Sequence, residues 1–301
     1  MKIGLIGLGR MGMNMARRFM QGGHEVVALN RSSEKTNQLA GEGAAPAYSF
    51  KELVYTLEQP RIIWVMLPAG KPTDAAVTRL GELLAPGDTI IDGGNTYYKD
   101  DIRRAQELEE KDIRYMDAGV SGGIWGLEEG YCTMVGGSVD QFRRIEGIFR
   151  ALAPQDGYMY CGEVGAGHFT KMVHNGIEYG MMQAYAEGFA LLDDSPYGES
   201  MNFADLAGVW NRGSVIRSWL LELTGMAFHK STRLEELEGY VDDSGEGRWT
   251  VQQAVDTGTP IPVLALSLFE RFSSRRNDDF RNRLLAALRR EFGGHAVRSK
   301  E

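Results

Sequence analysis

Residues Lys2 to Gly12 read KIGLIGLGRMG, and this stretch decides the fold. Lys2 to Ile6 is a short apolar run suited to a buried strand, and beyond Gly12 the apolar residues Met13, Ala16, Phe19 and Met20 recur at helical spacing. A turn bearing Gly7, Gly9 and Gly12 between a strand and a helix is a dinucleotide-binding signature, with Leu8, Arg10 and Met11 in the same loop. Gly7 permits the tight turn, Gly9 lets the backbone approach a pyrophosphate, and Gly12 lets the helix pack closely on the strand. The helix N-terminus stabilises the bound anion.

A second strand, Glu25 to Leu29, ends at Asn30-Arg31-Ser32, about 20 residues beyond the glycines, where such sites select their ribose. An acidic residue there would accept from the 2'-hydroxyl of NAD and repel a 2'-phosphate. Asn30 is neutral, Arg31 can pair with or stack on a phosphorylated adenosine, and Ser32 adds a donor, so NADP is favoured over NAD. Strand patterns follow at Arg61 to Leu67, Thr89 to Asp92 and Tyr115 to Val120, with helical patterns at Ser49 to Leu57, Thr73 to Leu84 and Lys99 to Lys111. This alternation predicts a Rossmann-type, doubly wound, mostly parallel sheet, an α/β fold whose ligands sit at the carboxyl ends of the strands. Three loops lie there: Leu67-Pro68-Ala69-Gly70, Asp92-Gly93-Gly94-Asn95-Thr96 and Val120-Ser121-Gly122-Gly123. Asn95 and Ser121 supply short donors near the nicotinamide end. A helix from Val139 to Leu152 and a last strand from Tyr158 to Cys161 complete the pattern.

The alternation stops near Gly162 to Gly165. Helical patterns then run through Gly167 to Leu192, Asn202 to Trp210, Ser214 to Thr224, a segment around Thr232 to Glu238, Trp249 to Thr257 and Ile261 to Phe292. The division predicted is a dinucleotide-binding domain over 1–164 and an all-α C-terminal domain over 165–301. The first of these helices contains GAGHFTKMVHNGIEYGMMQ, from Gly165 to Gln183. At ~100° per residue, Lys171, His174, Asn175, Glu178 and Met182 fall within a ~100° arc, while Gly176, Gly180 and Ala184 lie opposite. Phe169, Met172, Val173, Ile177 and Tyr179 flank the polar groups with apolar surface. Buried charges need partners, so this face reads as functional, looking onto a polar cleft, with the glycine side packed against another backbone. Arg248 in SGEGRWT, Arg271 in the last helical stretch, and Arg289 before FGGH, which ends at His295, are of interest as a set of anion binders.

The chain has 301 residues, 43% hydrophobic and 25% charged, the balance of a globular protein large enough for two domains. A net charge of -8 argues against nucleic acid as a partner. Two cysteines and five histidines without HExxH spacing suggest neither a disulfide framework nor a metal site. No segment approaches a membrane span and the first residues lack a signal-peptide pattern, as expected of a cytoplasmic protein without a membrane partner.

The motifs GLGRMG, DGGNT, GVSGG, KMVHNGIEY, the Arg248 loop, ERFSSRR around Arg271 and the FGGH tail closely resemble the decarboxylating 6-phosphogluconate dehydrogenases, in their short bacterial form. The resemblance runs from residue 4 to residue 295. It implies that Asn95, Ser121, Gly122, Gly123, His174, Asn175, Glu178 and Tyr179 surround 6-phosphogluconate and that Lys171 is the base. It further implies that Arg248 and Arg271 bind the phosphate and that Arg289 and His295 reach a partner subunit's site, so that the enzyme is a homodimer or homotetramer with shared sites. In the mechanism this implies, Lys171 takes the C3 hydroxyl proton as hydride leaves for the nicotinamide, and Glu178 protonates the enediol left by decarboxylation. The 3-keto group serves as electron sink, so no metal is called for. The chain departs from the family in Thr96 for the usual serine, in Asp100-Asp101, and in lacking the second helical repeat of long members. A non-decarboxylating β-hydroxyacid dehydrogenase of the 3-hydroxyisobutyrate type shares the nucleotide fold and a helix lysine, and a silent dinucleotide sensor would need the fold without the acid/base pair.

Overall fold

The computed structural model describes residues 1–276 and 279–293, together with 296 and 298. In chain order the elements are β1 (Lys2–Ile6), α1 (Arg10–Gln21), β2 (Glu25–Leu29), α2 (Ser33–Gly41), β3 (Ala45–Ala47), α3 (Phe50–Thr56), β4 (Ile62–Val65), α4 (Lys71–Gly81), β5 (Thr89–Asp92) and α5 (Tyr98–Glu109). They continue with β6 (Arg114–Ser121), α6 (Gly126–Glu129), β7 (Cys132–Gly136), α7 (Val139–Leu152), β8 (Tyr158–Gly162) and α8 (Ala166–Asp193). The remainder is helical: α9 (Phe203–Trp210), α10 (Trp219–Lys230), α11 (Glu246–Thr257), α12 (Pro262–Ser274) and α13 (Phe280–Gly293). The chain divides into two compact units, Met1–His174 and Asn175–Glu301, and the division falls inside α8.

In the first unit one sheet runs in the order β3-β2-β1-β4-β5-β6-β7-β8. All neighbours pair in parallel except β6 with β7, which are antiparallel. Side chains alternate strictly across it. Ile3, Leu5, Val26, Ala28, Trp64, Ile91 and Met116 enter one core, and Ile6, Val27, Leu29, Ile63, Val65, Ile90 and Tyr115 enter the other. Both faces are therefore buried, which explains why the strand sequences read as nearly unbroken apolar runs. Each fully buried large side chain contributes about 1.5–3 kcal/mol of transfer free energy. Strand order reverses between β1 and β4, and the crevice outside the carboxyl ends of those strands is where such sheets take their ligands.

The strands β3 and β7 were not predicted. The Ala45–Ala47 strand is too short to show a period, and Cys132–Gly136 ends in glycines that read as a turn. Three helical expectations are corrected in the second unit. The helix expected over 214–224 is α10, which starts later because Ser218 caps it, accepting from the Leu221 N–H at 3.0 Å. Around 232–238 the chain forms turns, with Leu234 at φ 58°. The expected single helix over 261–292 is broken into α12 and α13, at the polar residues after Ser274. Phe189, Phe203 and Phe228, with Leu221, form an apolar core of this unit, contributed by α8, α9 and α10.

The turn after β1 is as tight as its glycines allow. Gly7 has φ 97°, a Cβ there would sit 2.3 Å from the Met66 carbonyl oxygen, and a Cβ on Gly12 would sit 2.0 Å from the Gly7 carbonyl oxygen. Gly12→Ala should therefore push α1 off β1, costing about 1–3 kcal/mol and weakening dinucleotide binding. Urea unfolding and a dinucleotide titration check this, and parental values in both would contradict the packing.

Candidate active site

In the first unit the glycine turn delivers the N-terminus of α1 to the strand-order reversal. Gly9 is the N-cap residue, exposed, with no side chain capping the helix and open space where a Cβ would be. That open, uncapped helix start fits a dinucleotide pyrophosphate, with Gly7, Leu8, Gly9, Arg10, Met11 and Gly12 around it. Asn30 serves a bracing role that the sequence reading did not assign: its side chain accepts from the Leu8 N–H at 2.9 Å and donates to the Ser32 carbonyl at 3.2 Å. Arg31 and Ser32 are exposed beside it and available for a ribose or its phosphate. Leu67 and Pro68 follow β4, where the Pro68 carbonyl accepts from Thr73 at 2.8 Å.

The loop after β5 lies against the loop after β4, because a Cβ on Gly94 would come within 2.8 Å of the Leu67 carbonyl oxygen. Asn95 is exposed at its tip. The loop after β6 carries Ser121, half-buried, then Gly122 at φ 139° and Gly123 at φ 53°. Asn14 of α1 donates to the Ile124 carbonyl at 3.3 Å and so ties this loop to the nucleotide helix.

The start of α8 is pressed onto the sheet by glycines. A Cβ on Gly119 would sit 2.4 Å from the Lys171 Cβ, and one on Gly167 would sit 2.4 Å from the Met134 carbonyl oxygen. Lys171 is consequently only 8% exposed. Its Nζ lies 3.3 Å from His174 Nδ1, a distance at which either partner can donate, depending on which carries the proton. The two groups can thus exchange hydrogen-bond roles as the lysine gains or loses a proton.

Beneath these loops lies a buried ionic cluster. Asp117 accepts from the Gly165 and His168 N–H groups at 2.6 and 2.7 Å, which satisfies backbone donors at the start of α8. His168, 2% exposed, has Nδ1 2.7 Å from Asp101 Oδ2 and Nε2 3.0 Å from the Gly94 carbonyl oxygen. The Gly94 carbonyl can only accept, so Nε2 donates, and against the Asp101 carboxylate Nδ1 donates as well, which makes the imidazole cationic; burial pushes the Asp101 carboxyl itself up to about 7. Burial alone would lower the imidazole pKa, but the Asp101 charge, with Asp92 and Asp117 behind it, raises it to about 10. Asp92 accepts from Arg104 at 3.1 Å, Thr96 at 2.8 Å and the Gly94 N–H at 2.9 Å. Tyr115 donates to Asp101 at 2.9 Å. Ligand-capable atoms of Asp92, Asp101 and His168 lie within 4.8 Å of one another, yet both His168 nitrogens are committed to protein acceptors and Arg104 supplies the countercharge.

In the second unit, α8 continues with Asn175 and Glu178, both half-buried, and buried Tyr179. Helical spacing puts Lys171, His174, Asn175 and Glu178 on one face of this unbroken helix. The glycines opposite meet side chains rather than the expected backbone: a Cβ on Gly176 would lie 2.8 Å from Thr250 Cγ2 and 3.1 Å from Leu264 Cδ2. Asn175 donates to buried Glu246 at 3.1 Å. Tyr179 has the Arg271 guanidinium 3.5 Å from its ring centroid, and a Cβ on Gly247 would strike its ring at 2.6 Å. Arg271 also donates to the Asp242 carbonyl at 2.9 Å. Arg248 forks onto Asp243 at 2.7 and 3.0 Å and lies over Phe272, and Arg275 approaches the same carboxylate at 2.9 Å. Hydrogen bonds from Arg248, with Arg275 adding, outweigh burial and hold Asp243 below the usual carboxylate range. Three guanidiniums thus surround a small region of α11 and α12, suited to a multiply charged anion. Arg289 is exposed on α13, and His295 lies outside the described residues.

The sequence alone assigns no site role to Asp101, Arg104, Asp117, His168, Glu246 or Arg275. The available signal was a carboxylate inside an apolar strand, as at Asp117 in YMDAGV, because a charge placed there requires a partner.

Two family models together cover nearly the whole chain: the NAD binding domain of 6-phosphogluconate dehydrogenase over residues 2–165, and the 6-phosphogluconate dehydrogenase C-terminal domain over 167–300. A Bacillus subtilis protein provisionally named a 6-phosphogluconate dehydrogenase is 47% identical over the full length of both chains. A Haloferax volcanii protein named as an NAD(+)-dependent, decarboxylating 6-phosphogluconate dehydrogenase is 43% identical, again with 100% of each chain covered. Among solved structures, Plasmodium falciparum 6-phosphogluconate dehydrogenase, described with NADP+ and with 6-phosphogluconate, superimposes with a TM-score of 0.83 at 27% identity. That match covers 100% of this chain and 67% of the other. Mycobacterium tuberculosis 3-hydroxyisobutyrate dehydrogenase shares the fold, at a TM-score of 0.68 and 22% identity over 88% of this chain and 90% of the other. An NAD(P)-binding Rossmann sheet, a helical C-terminal part and relatives identical at nearly half their positions lead to one conclusion: the chain belongs to the 6-phosphogluconate dehydrogenase family of oxidoreductases.

Proposed function

We propose that this chain oxidises and decarboxylates 6-phosphogluconate to ribulose 5-phosphate and carbon dioxide, using NADP in preference to NAD. The observation that carries this reading is the polar face of α8, where Lys171, His174, Asn175 and Glu178 follow one another on one unbroken helix. The arginines Arg248 and Arg271 support it, since a small unphosphorylated acid has no use for them. Membership of the family supports the substrate class.

The bound nicotinamide would accept the hydride from C3. Lys171, in its neutral form, takes the C3 hydroxyl proton as that hydride leaves, which turns C3 into a ketone β to the carboxylate. His174 can hydrogen-bond Lys171 in either protonation state, so the proton transfer breaks no contact. The lysine, now charged, stabilises the developing oxygen charge as the C1 carboxylate departs and its bonding electrons form the C2–C3 enediol. Glu178 then delivers a proton to the former C2, giving the terminal hydroxymethyl group. Asn95, Ser121, Gly122, Gly123, Asn175 and Tyr179 hold the sugar acid, and Arg248 and Arg271 hold its phosphate. Binding energy at the remote phosphate positions the reacting carbon.

The reading also takes residues 1–164 as the nucleotide domain and 165–301 as the helical domain of a cytoplasmic homo-oligomer. Arg289 and His295 would act in a neighbouring subunit's site. The exposed side chains of Phe280, Leu284, Leu285 and Leu288 on α13 support such an interface.

Initial rates of nicotinamide reduction with 6-phosphogluconate and with 3-hydroxyisobutyrate, each with NADP and NAD, test the substrate assignment. 6-Phosphogluconate with NADP should be the fastest combination. Faster turnover of 3-hydroxyisobutyrate would overturn the substrate, and a faster rate with NAD would overturn the role given to Arg31. Lys171→Met should abolish turnover and leave dinucleotide affinity unchanged, while Glu178→Gln should slow ribulose 5-phosphate formation more than nicotinamide reduction. Parental turnover in the first variant, or equal slowing of both steps in the second, would remove those residues from their roles.

A further inference from the structure

The mechanism above makes no use of His168, although it is the most fully engaged side chain near the start of α8. Its two ring bonds point in different directions. One runs to Asp101 on α5, and the other to the backbone carbonyl of Gly94, the residue immediately before Asn95. Gly94 is held on its amino side as well, where its N–H donates to Asp92. Asp92 is itself fixed by Arg104, Thr96 and Tyr115 at 3.1, 2.8 and 3.2 Å. The loop tip that bears Asn95 therefore has little freedom to rotate.

His168 is also joined to Lys171 through the helix. The two residues are one turn apart, and the His168 N–H donates to Asp117, which clamps that first turn onto β6. A rotation of the turn by even a few degrees would move the Lys171 side chain, already confined by Gly119. The imidazole is the direct hydrogen-bonded bridge between the loop backbone and this turn.

We propose that His168 is a positioning residue, whose ring ties the Gly94 carbonyl to Asp101 and so sets the loop carrying Asn95 against the helical turn carrying Lys171. The inference rests on the reading of Asn95 and Lys171 as substrate-handling groups. A neutral side chain with one donor could satisfy Asp101 or Gly94 but not both, because no other common side chain of this size presents two opposed N–H groups in a plane. Loss of either link should therefore loosen the loop against the helix without disturbing the glycine turn after β1, which shares none of these bonds.

Three variants distinguish positioning from bulk stability: His168→Ala, which removes both donors, His168→Gln, whose single donor nitrogen can reach one of the two acceptors, and Asp101→Asn, which keeps the volume and alters the partner. Amide exchange of the peptide spanning 92–97 should accelerate in each folded variant, most in His168→Ala, while the peptide spanning 2–12 exchanges as in the parent. On the acid that the parent oxidises, kcat should fall about 10²-fold in His168→Ala, as for an ångström-scale misplacement, with partial recovery in His168→Gln. A double-mutant cycle with Asn95→Ala gives the sharpest readout, since a merely structural loss would leave the two effects multiplicative. The Asn95→Ala penalty should shrink several-fold in the His168→Gln background. Parental exchange over 92–97, or multiplicative penalties in the cycle, would overturn the proposal. If the parent oxidises no β-hydroxy acid, the functional reading fails, and the exchange measurement alone decides whether His168 couples loop to helix. Should His168→Ala not fold, His168→Gln and Asp101→Asn are judged by the same criteria.

Discussion

A buried charge network sets the geometry of the first unit's candidate site. Three carboxylates, Asp92, Asp101 and Asp117, are sealed from solvent, with the buried side chains of Arg104 and His168 set among them. An ion moved out of water loses several kcal/mol of solvation even after relaxation, and recovers it only through well-formed hydrogen bonds. These carboxylates meet that demand by accepting from the Gly94, Gly165 and His168 backbone N–H groups as well as from side chains. The site loops are thereby made part of the core's electrostatic balance. A loop that carried Asn95 without such ties would be free to sample many conformations.

Glycine supplies the complementary constraint. Where the ionic network pulls α8 onto the sheet, Gly119, Gly136 and Gly167 remove the Cβ atoms that would keep it away. The same device holds α1 on β1 through Gly7 and Gly12, and lets Tyr179 approach α11 over Gly247. The buried lysine at position 171 is a consequence of both effects. In the second unit the arrangement differs, because guanidiniums rather than carboxylates dominate, and Arg248 and Arg275 share Asp243 while Arg271 lies on Tyr179.

Much of this was legible in the sequence. The glycine turn between β1 and α1, the parallel strands with glycine-rich loops after them, and the polar face of α8 are local or periodic features, which a sequence displays directly. The ionic network was not legible for a specific reason. Asp101 and His168 are 67 positions apart, and neither looks unusual alone, one being an acidic residue on an amphipathic helix and the other a histidine beside an apolar stretch. Short elements also escaped, since Ala45–Ala47 is too brief to show a period. The break between α12 and α13 escaped because the polar run after Ser274 contains neither proline nor glycine. Compact packing divides the chain inside α8, between His174 and Asn175, where an unbroken helical pattern offers no sequence signal of a boundary.

In the proposed function the acid/base face of α8 carries one substrate through oxidation and then loss of its carboxylate, which separates the protein from a simple β-hydroxyacid dehydrogenase. The most direct measurement supplies 6-phosphogluconate labelled with carbon-13 at C1 and compares labelled carbon dioxide released with nicotinamide reduced. Equal amounts of the two, with all label leaving as carbon dioxide, are what the account requires. Reduced nicotinamide accumulating while the label stays in an organic acid would contradict it.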